Sequence, residues 1–487
     1  MREFDNNRDD QAAPRILESP EEVLTTLTKD GKRRWLYPVQ SRGRFLSARR
    51  VLAWFFIFLF FAMPIIQLGG RPALMLDFVH REFAILGLVF YPTDTILMMI
   101  FMIGVLLSIV LITALLGRVW CGWACPQTVY LEFIFRPIER LVEGPEHVRK
   151  RRNERAKGWD WMWRKGVKMV IFLSLSLVLA HTFVAYFVGW EALLGWLRDD
   201  PRENWGFFLI MALTTGLVFF DFGYFREQMC TIACPYARMQ SIMLDRDSMI
   251  VSYDPNRGEP RGKRSKKYLA EVELNQVESQ GDCVDCKLCV RTCPTGIDIR
   301  DGLQMECVTC TQCIDACDHI MDQIGKPRGL IRYTSENILE GGTTKKFRPR
   351  TMVYSALIIL IFSAFSVALS ERAEYDINIG RVVGEPFTEL PDGRIANRLR
   401  FRVRNQTPEA SSFDIIPASP NDLELRIVGA TPIPLESGEM TRIEAWVVVP
   451  RDAFTETSIP GSFELVFSDG ISTLSEFTLL GPDQPNR

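Results

Sequence analysis

The sequence predicts a multi-domain membrane protein. An α-helical transmembrane bundle of about five spans carries an inserted cysteine-rich block and ends in a C-terminal immunoglobulin-like β-sandwich. Three observations carry this reading. Long apolar runs alternate with polar blocks, although 47% of the 487 residues are hydrophobic and the net charge is only -2. All twelve cysteines fall between Cys121 and Cys317. The last stretch, 371–487, has no cysteine and is rich in short alternating runs. The near-neutral charge argues against a nucleic-acid partner, which would call for a basic excess. Clustered cysteines point to metal, because secreted disulfide scaffolds are short and cysteine-dense throughout.

A bilayer core needs roughly 20 mostly apolar helical residues. Residues 51–68, 95–116, 167–188 and 351–369 meet this, and 206–220 is a shorter fifth candidate ending at Asp221. The run 83–90 is too short to span and is expected at a surface. Ten of the eleven tryptophans lie between Trp35 and Trp205, as interfacial anchoring favours. The first apolar run follows a basic leader and lacks a signal peptide's cleavage pattern, so it reads as a retained helix. Lys and Arg alternate between loops. The leader and the loops 117–166 and 221–350 are basic, the last ending in Lys345, Lys346, Arg348 and Arg350. The loops 69–94 and 190–205 carry two basic residues each. By the positive-inside rule the N-terminus and cysteine-rich block are cytoplasmic and the tail is outside, the periplasm in a bacterium. Most of the basic residues read as solvated or lipid-facing surface. The expected organisation is a leader over 1–50, a four-helix membrane region over 51–225, a cytoplasmic block over 226–350, a fifth helix over 351–369 and an outside domain over 371–487.

The block contains two copies of C-x2-C-x2-C-x3-C, at 283–293 and 307–317, and Pro294 closes the first. Three thiolates on one tight loop reach three irons of a cube, and the fourth points to the neighbouring cube. Cys283, Cys286, Cys289 and Cys317 are therefore expected to bind one [4Fe–4S] cluster. Cys307, Cys310, Cys313 and Cys293 are expected to bind the other. Asp318 stands where the second motif would have proline, which weakens the turn argument there. Zinc would suit a lone C-x2-C pair better than two complete tandem sets. No dinucleotide-binding glycine motif is present, so electrons come from a partner or a membrane quinol.

Cys121, Cys125 and Pro126 are echoed 109 residues later by Cys230, Cys234 and Pro235. Both are C-x3-C-P after an apolar span, so helices 1–2 and 3–4 read as a repeat. The i, i+4 spacing places both sulfurs on one helix face, and the proline is expected to end or kink the helix just beyond. Four thiols would then converge at the cytoplasmic membrane boundary, with Arg118 and Arg226 beside them to stabilise thiolates. Copper, zinc, a further cluster and simple buried cysteines all remain open there. The four histidines are too dispersed for bis-histidine haem. His181 inside helix 3 reads as a neutral residue bonded to a neighbouring helix. Met98, Met99 and Met102 read as lipid-facing or packing residues. In the tail, 399–404, 423–428, 444–449 and 462–467 alternate as half-buried strands do.

This order of parts resembles the CcoG/FixG/RdxA family along nearly the whole chain, from about residue 30. The combination of Cys-Gly-Trp-Ala-Cys-Pro, Cys-Thr-Ile-Ala-Cys-Pro, the dicluster block and the β-sandwich tail carries the likeness. The resemblance implies an accessory protein for assembly of cbb3-type cytochrome c oxidase in the bacterial inner membrane, reducing Cu(II) to Cu(I). It implies cluster ligation by the eight block cysteines and a copper or redox role for Cys121, Cys125, Cys230 and Cys234. Implied partners are the oxidase assembly machinery, a copper transporter or chaperone and a quinol or cytoplasmic reductant, in a lipid setting and with homo-oligomerisation open. Electron-transfer subunits of periplasmic nitrate reductase systems share the front part, and the tail favours the first family. A quinol-linked conduit and a non-enzymatic assembly scaffold are the competing readings.

Overall fold

The computed structural model describes residues 25–27, 32–68, 70–155, 158–262, 281–343, 348–407, 409–420, 422–427, 429 and 431–482. The earliest part of the leader, Lys345, Lys346 and the end of the 423–428 run lie outside the described residues. The helices that position the site are α1 (Arg44–Ala62), α2 (Thr95–Leu116), α3 (Val119–Trp123), α4 (Pro126–Tyr130), α5 (Arg136–Glu143), α6 (Trp159–Val188), α7 (Trp205–Phe220), α8 (Pro235–Met243), α9 (Leu288–Thr292), α10 (Gln312–Gln323) and α11 (Pro349–Ser370). Five segments are long and apolar enough to cross a membrane: α1, α2 with its preceding turn, α6, α7 with its π-helical extension to Phe225, and α11.

The chain divides into two compact units. The first holds most of the helices and the cysteine-rich block. Its first span is displaced from expectation: the run 51–68 predicted the helix, but α1 starts at Arg44 and stops at Ala62. The start is fixed from a distance. The Asp315 carboxylate accepts from Phe45 N at 3.2 Å and Leu46 N at 2.7 Å, satisfying helix N-terminal donors. Gly43 permits that approach, since a Cβ there would lie 2.3 Å from Asp315 Oδ1. Pro64, which has no N–H to continue the ladder, follows the last turn. Aromatic packing joins the two halves of the helical repeat, with Phe135 stacked on Phe222 at 4.4 Å between centroids.

In the cysteine-rich block, β1 (Ile250–Tyr253) and β2 (Ile331–Thr334) pair antiparallel and bracket α9 and α10. Val251, Tyr253, Ile297, Ile314, Leu330 and Ile331 form its core with the cysteines. The described leader lies along this block: Val39 N bonds Arg291 O at 2.9 Å and Thr292 Oγ1 donates to Val39 O at 2.6 Å.

The second unit contains the tail. Strands β3 (Tyr375–Arg381), β4 (Ile395–Asn405), β5 (Ser411–Ser419), β6 (Glu424–Ile427), β7 (Ile433–Leu435), β8 (Met440–Val449), β9 (Ser458–Phe467) and β10 (Ser472–Leu480) form two antiparallel sheets, ordered β6-β8-β4-β3 and β7-β5-β9-β10. Leu399, Phe401, Val403, Phe413, Phe463 and Leu465 fill the space between them, so packing substitutes for the missing disulfide. The run 83–90 lies at a surface through its tip, where Leu86 and Leu88 are exposed. It forms a hairpin of this unit, with Phe83 opposite Phe90, and Phe90 is buried. Glu82 at its start accepts from Arg404 Nη1 at 3.1 Å and pairs with Arg71 at 2.6 Å. That ion pair explains why Arg404 is buried at the end of an otherwise alternating strand.

Candidate functional site

Each C-x2-C-x2-C loop has a left-handed residue on both sides of its second cysteine. These are Asp285 (φ 48) and Lys287 (φ 56) around Cys286, and Thr309 (φ 55) and Thr311 (φ 63) around Cys310. A non-glycine residue in this region costs about 1–2 kcal/mol. Four such residues at matched positions mark a backbone wound for a purpose. Alternating right- and left-handed residues turn successive N–H groups toward one point, a cradle for an anion.

The thiols follow this winding. One cavity is lined by Cys283, Cys286, Cys289 and Cys317. A second is lined by Cys293, Cys307, Cys310 and Cys313, with Cys289 on its edge as well. The first motif's last cysteine thus faces the second cavity, and the second motif's last cysteine faces the first. Pro294 follows α9 where the chain leaves the helix at Cys293. Asp318 lies instead inside α10, which runs on to Gln323, and accepts Gly329 N at 2.9 Å. A proline there would break that helix, so the departure from the motif reflects a longer helix. Among the described residues no three His, Cys, Asp or Glu side chains draw together as ligands of one ion. The thiols are spread around cavities, as a multi-iron core requires.

Electrostatics fit an anionic group at the second cavity. Arg49 of α1 is 1% exposed and donates through Nε to Gly122 O at 2.9 Å, while Nη1 and Nη2 have no hydrogen-bond partner. Its guanidinium acts on Cys310, whose thiol is raised by burial and lowered by Arg49. A buried cation with orphaned donors beside four thiols suits a negatively charged thiolate-bound cluster. At the first cavity, burial pushes Cys289 and Cys317 up to about 12, so ligands there must shed protons on binding.

The four other cysteines lie in one region, with Cys121 and Cys230 packed in one cluster, although no three of them are placed as ligands of a single ion. Cys121, Cys125, Cys230 and Cys234 all act electrostatically on one another. They do not sit in pairs on continuous helices as the i, i+4 spacing predicts. Cys125 is extended (ψ 127) and caps α4, and Cys234 is extended (ψ 109) and caps α8. The residue before proline is pushed out of the helical region, and each proline opens a new helix. The preceding turns are wide: Cys125 N bonds Trp120 O and Cys234 N bonds Met229 O. Gln127 ties the two copies together through Asp221 Oδ1 at 3.1 Å and Arg226 O at 3.0 Å.

Cys121 is raised to about 11 by burial, against the pull of Arg118, and lies 3.0 Å from Gln240 Oε1. Arg118 opposes the effect of burial on Cys121 without overcoming it. Arg226 is engaged elsewhere: its guanidinium grips Glu139 at 2.8 and 2.9 Å. Arg149 at 2.5 Å and Lys168 at 3.3 Å complete the shell around that buried carboxylate. Sequence reading missed Glu139 and treated Arg149 as surface, because partners ten to eighty-seven positions away leave no local pattern. His181 bonds Leu177 O of its own helix at 2.7 Å, not a neighbouring helix. Met99 and Met102 are exposed, as lipid-facing residues are.

The four-thiol site adjoins the second cavity. Cys121 and Cys230 pack with Val308 and Cys310. A Cβ on Gly122 would lie 2.5 Å from Val308 O and 2.7 Å from Thr309 O, so only glycine lets α3 rest on that loop.

Comparison with known proteins agrees with these parts. Residues 225–336 match the family described as 4Fe-4S dicluster domain, and residues 97–145 one described as 4Fe-4S binding domain. Residues 365–482 match the IG-like fold at the C-terminal of FixG. Protein RdxB of Cereibacter sphaeroides is 34% identical, covering 89% of this chain and 92% of its own length. The chain belongs to the FixG/RdxA family. RdxA of the same organism is 32% identical over 85% of this chain and 89% of its own. The nitrogen fixation protein FixG of Rhizobium meliloti is 28% identical over 90% of each. A crystal structure of a FixG-related protein from Vibrio parahaemolyticus covers 22% of this chain and 97% of its own at 15% identity, with a TM-score of 0.20. As a member of the FixG/RdxA family, the chain is an iron–sulfur electron-transfer protein with a dicluster domain and helices of membrane-crossing length.

Proposed function

We propose that this protein is a membrane-bound oxidoreductase that reduces Cu(II) to Cu(I) for delivery to cbb3-type cytochrome c oxidase during its assembly. The observation that carries the reading is the packing of Cys121 and Cys230 against Val308 and Cys310, with α3 seated on that loop at Gly122. In this reading Cys283, Cys286, Cys289 and Cys317 hold one [4Fe–4S] cluster, and Cys293, Cys307, Cys310 and Cys313 the other. Bound there, the clusters would supply one-electron storage and transfer. The chain's own residues do the rest. Arg49 offsets negative charge at the second cavity, and Gly122 keeps the path to Cys121 short. Cys121, Cys125, Cys230 and Cys234 receive Cu(II) as a passing substrate. Thiolates favour Cu(I), which assists the one-electron step Cu(II) + e⁻ → Cu(I) and holds the product for a copper transporter or chaperone.

The same reading puts the clusters and N-terminus in the cytoplasm, the chain in the inner membrane and the sandwich in the periplasm, supported by the alternation of basic loops. The test is the quadruple Cys121→Ser, Cys125→Ser, Cys230→Ser, Cys234→Ser variant, reduced chemically and given Cu(II). The expected outcome is an intact cluster absorbance with Cu(I) formation lost. Copper reduction at the wild-type rate in that variant would overturn the assignment.

A further inference from the structure

An electron carrier needs a donor, and one large cavity of the first unit is unused by the reading above. It offers about 540 Å³ and is walled by Trp35 and Tyr37 of the leader, Trp161 of α6, Phe219 and Phe220 of α7, and Tyr224. We propose that this cavity binds a membrane quinol and that the quinol is the electron donor, an inference that rests on the reading of the chain as an electron carrier.

Flat aromatic walls suit a flat ring, which stacks on them, better than they suit flexible acyl chains. Phe219, Phe220 and Met169 belong to helices of membrane-crossing length, so an apolar ligand reaches the cavity from the bilayer. The other end is charged. Glu143 and Lys168, both buried, lie 3.1 Å apart on the lining, with Lys165 3.0 Å from the same carboxylate. An ammonium and a carboxylate side by side can donate to one quinol oxygen and accept from the hydroxyl of another. Apolar walls with a few convergent polar groups are the usual make-up of a small-molecule site.

The charged end also leads to the second thiol cavity. Glu139 lines the quinol cavity and holds Arg226, and Arg226 Nε lies 3.8 Å from Glu227 Oε2. Arg136 Nη2 lies 3.5 Å from both Glu227 Oε2 and Pro294 O, next to Cys293. Burial lowers the Arg136 guanidinium to about 10, and Glu227 opposes this. One unbroken row of charged side chains therefore separates the donor cavity from the cluster site. The quinol loses two electrons and two hydroxyl protons and becomes the quinone. Clusters held by the two cysteine sets would take up one electron each, and the two protons go to water.

The test uses full-length protein purified without oxygen, oxidised, in detergent, with menadiol as the quinol probe. Bleaching of the cluster absorbance is followed against menadiol concentration. Quenching of tryptophan fluorescence by menadione reports binding independently of the clusters. Saturable bleaching and saturable quenching are expected. In Trp161→Ala and Glu143→Gln, each first checked for wild-type iron content, the half-saturating concentration should rise about ten-fold. Should both variants fail to retain iron, the wild-type titrations still decide. Bleaching by dithionite but not by menadiol would overturn the quinol site and leave the electron-carrier reading standing. Bleaching by neither would overturn the electron-carrier reading itself. Quenching abolished by phosphatidylglycerol micelles, with no bleaching by menadiol, would assign the cavity to an anionic lipid and overturn the proposal.

Discussion

Arg49 is a cation in a place where burial alone would exclude it, with two donors left over beside Cys310. Replacing it by glutamine removes positive charge next to the second cluster site, which disfavours the reduced, more negative form. Redox titration of Arg49→Gln should show one of two midpoint potentials moved downward and the other unmoved. Glu139 is the mirror case, an anion enclosed by Arg226, Lys168 and Arg149. Those cations hold its carboxyl well below the usual range, against the opposing effect of burial. A depressed folded-state pKa adds stability that is complete above the ordinary value of about 4.3 and is lost as pH falls below it. Acid unfolding should therefore carry a component from Glu139 that Glu139→Gln lacks. At neutral pH that variant leaves buried cations uncompensated and should lose about 3–5 kcal/mol in a denaturant titration. The cysteine residues were legible in the sequence because cluster ligation needs short, fixed spacings. Arg49, Glu139 and Arg226 were not, because their partners are chosen by the folded chain and their types match any basic or acidic surface.

At the scale of elements, α3 and the loop between Cys307 and Cys310 touch backbone to backbone at Gly122. Gly122→Ala must push the two apart. Overpacking of this kind costs about 1–3 kcal/mol. In stopped-flow measurements Cu(II) reduction should slow markedly while chemical reduction of the clusters keeps its rate, since only the link between the sites is lengthened. Equal rates of copper reduction in variant and wild type would show that the contact is not on the electron path. The five spans were legible from hydropathy, yet the third starts at Trp159, eight residues before the expected 167, and the first starts seven residues before its expected 51. Its early turns are polar and basic because they dock on the cysteine-rich block and are capped by Asp315, a partner 269 positions away. The C-x3-C-P elements show the converse. Their spacing suggested a continuous helix, and the stiff residue-before-proline preference broke it at Cys125 and Cys234.

Over the whole molecule, two units carry different logic. The β-sandwich is held by alternating apolar residues, and the sequence reading found four of its strands, β4, β6, β8 and β9, but not β3, β5, β7 or β10, nor the pairing of Arg404 with Glu82, 322 positions away in the chain. The unit that holds the thiols carries left-handed loop residues, cysteine-lined cavities and the buried Arg49 in the region that matches a 4Fe-4S dicluster domain, features that suit the proposed binding of two clusters. The most direct test is iron and acid-labile sulfide per chain in protein purified without oxygen, read beside the electron paramagnetic resonance of the reduced state. Iron and sulfide sufficient for at least two cubes are expected, with spectra of interacting spins, and one cube should be lost in Cys310→Ser. A folded, redox-active protein free of iron and sulfide would contradict the account.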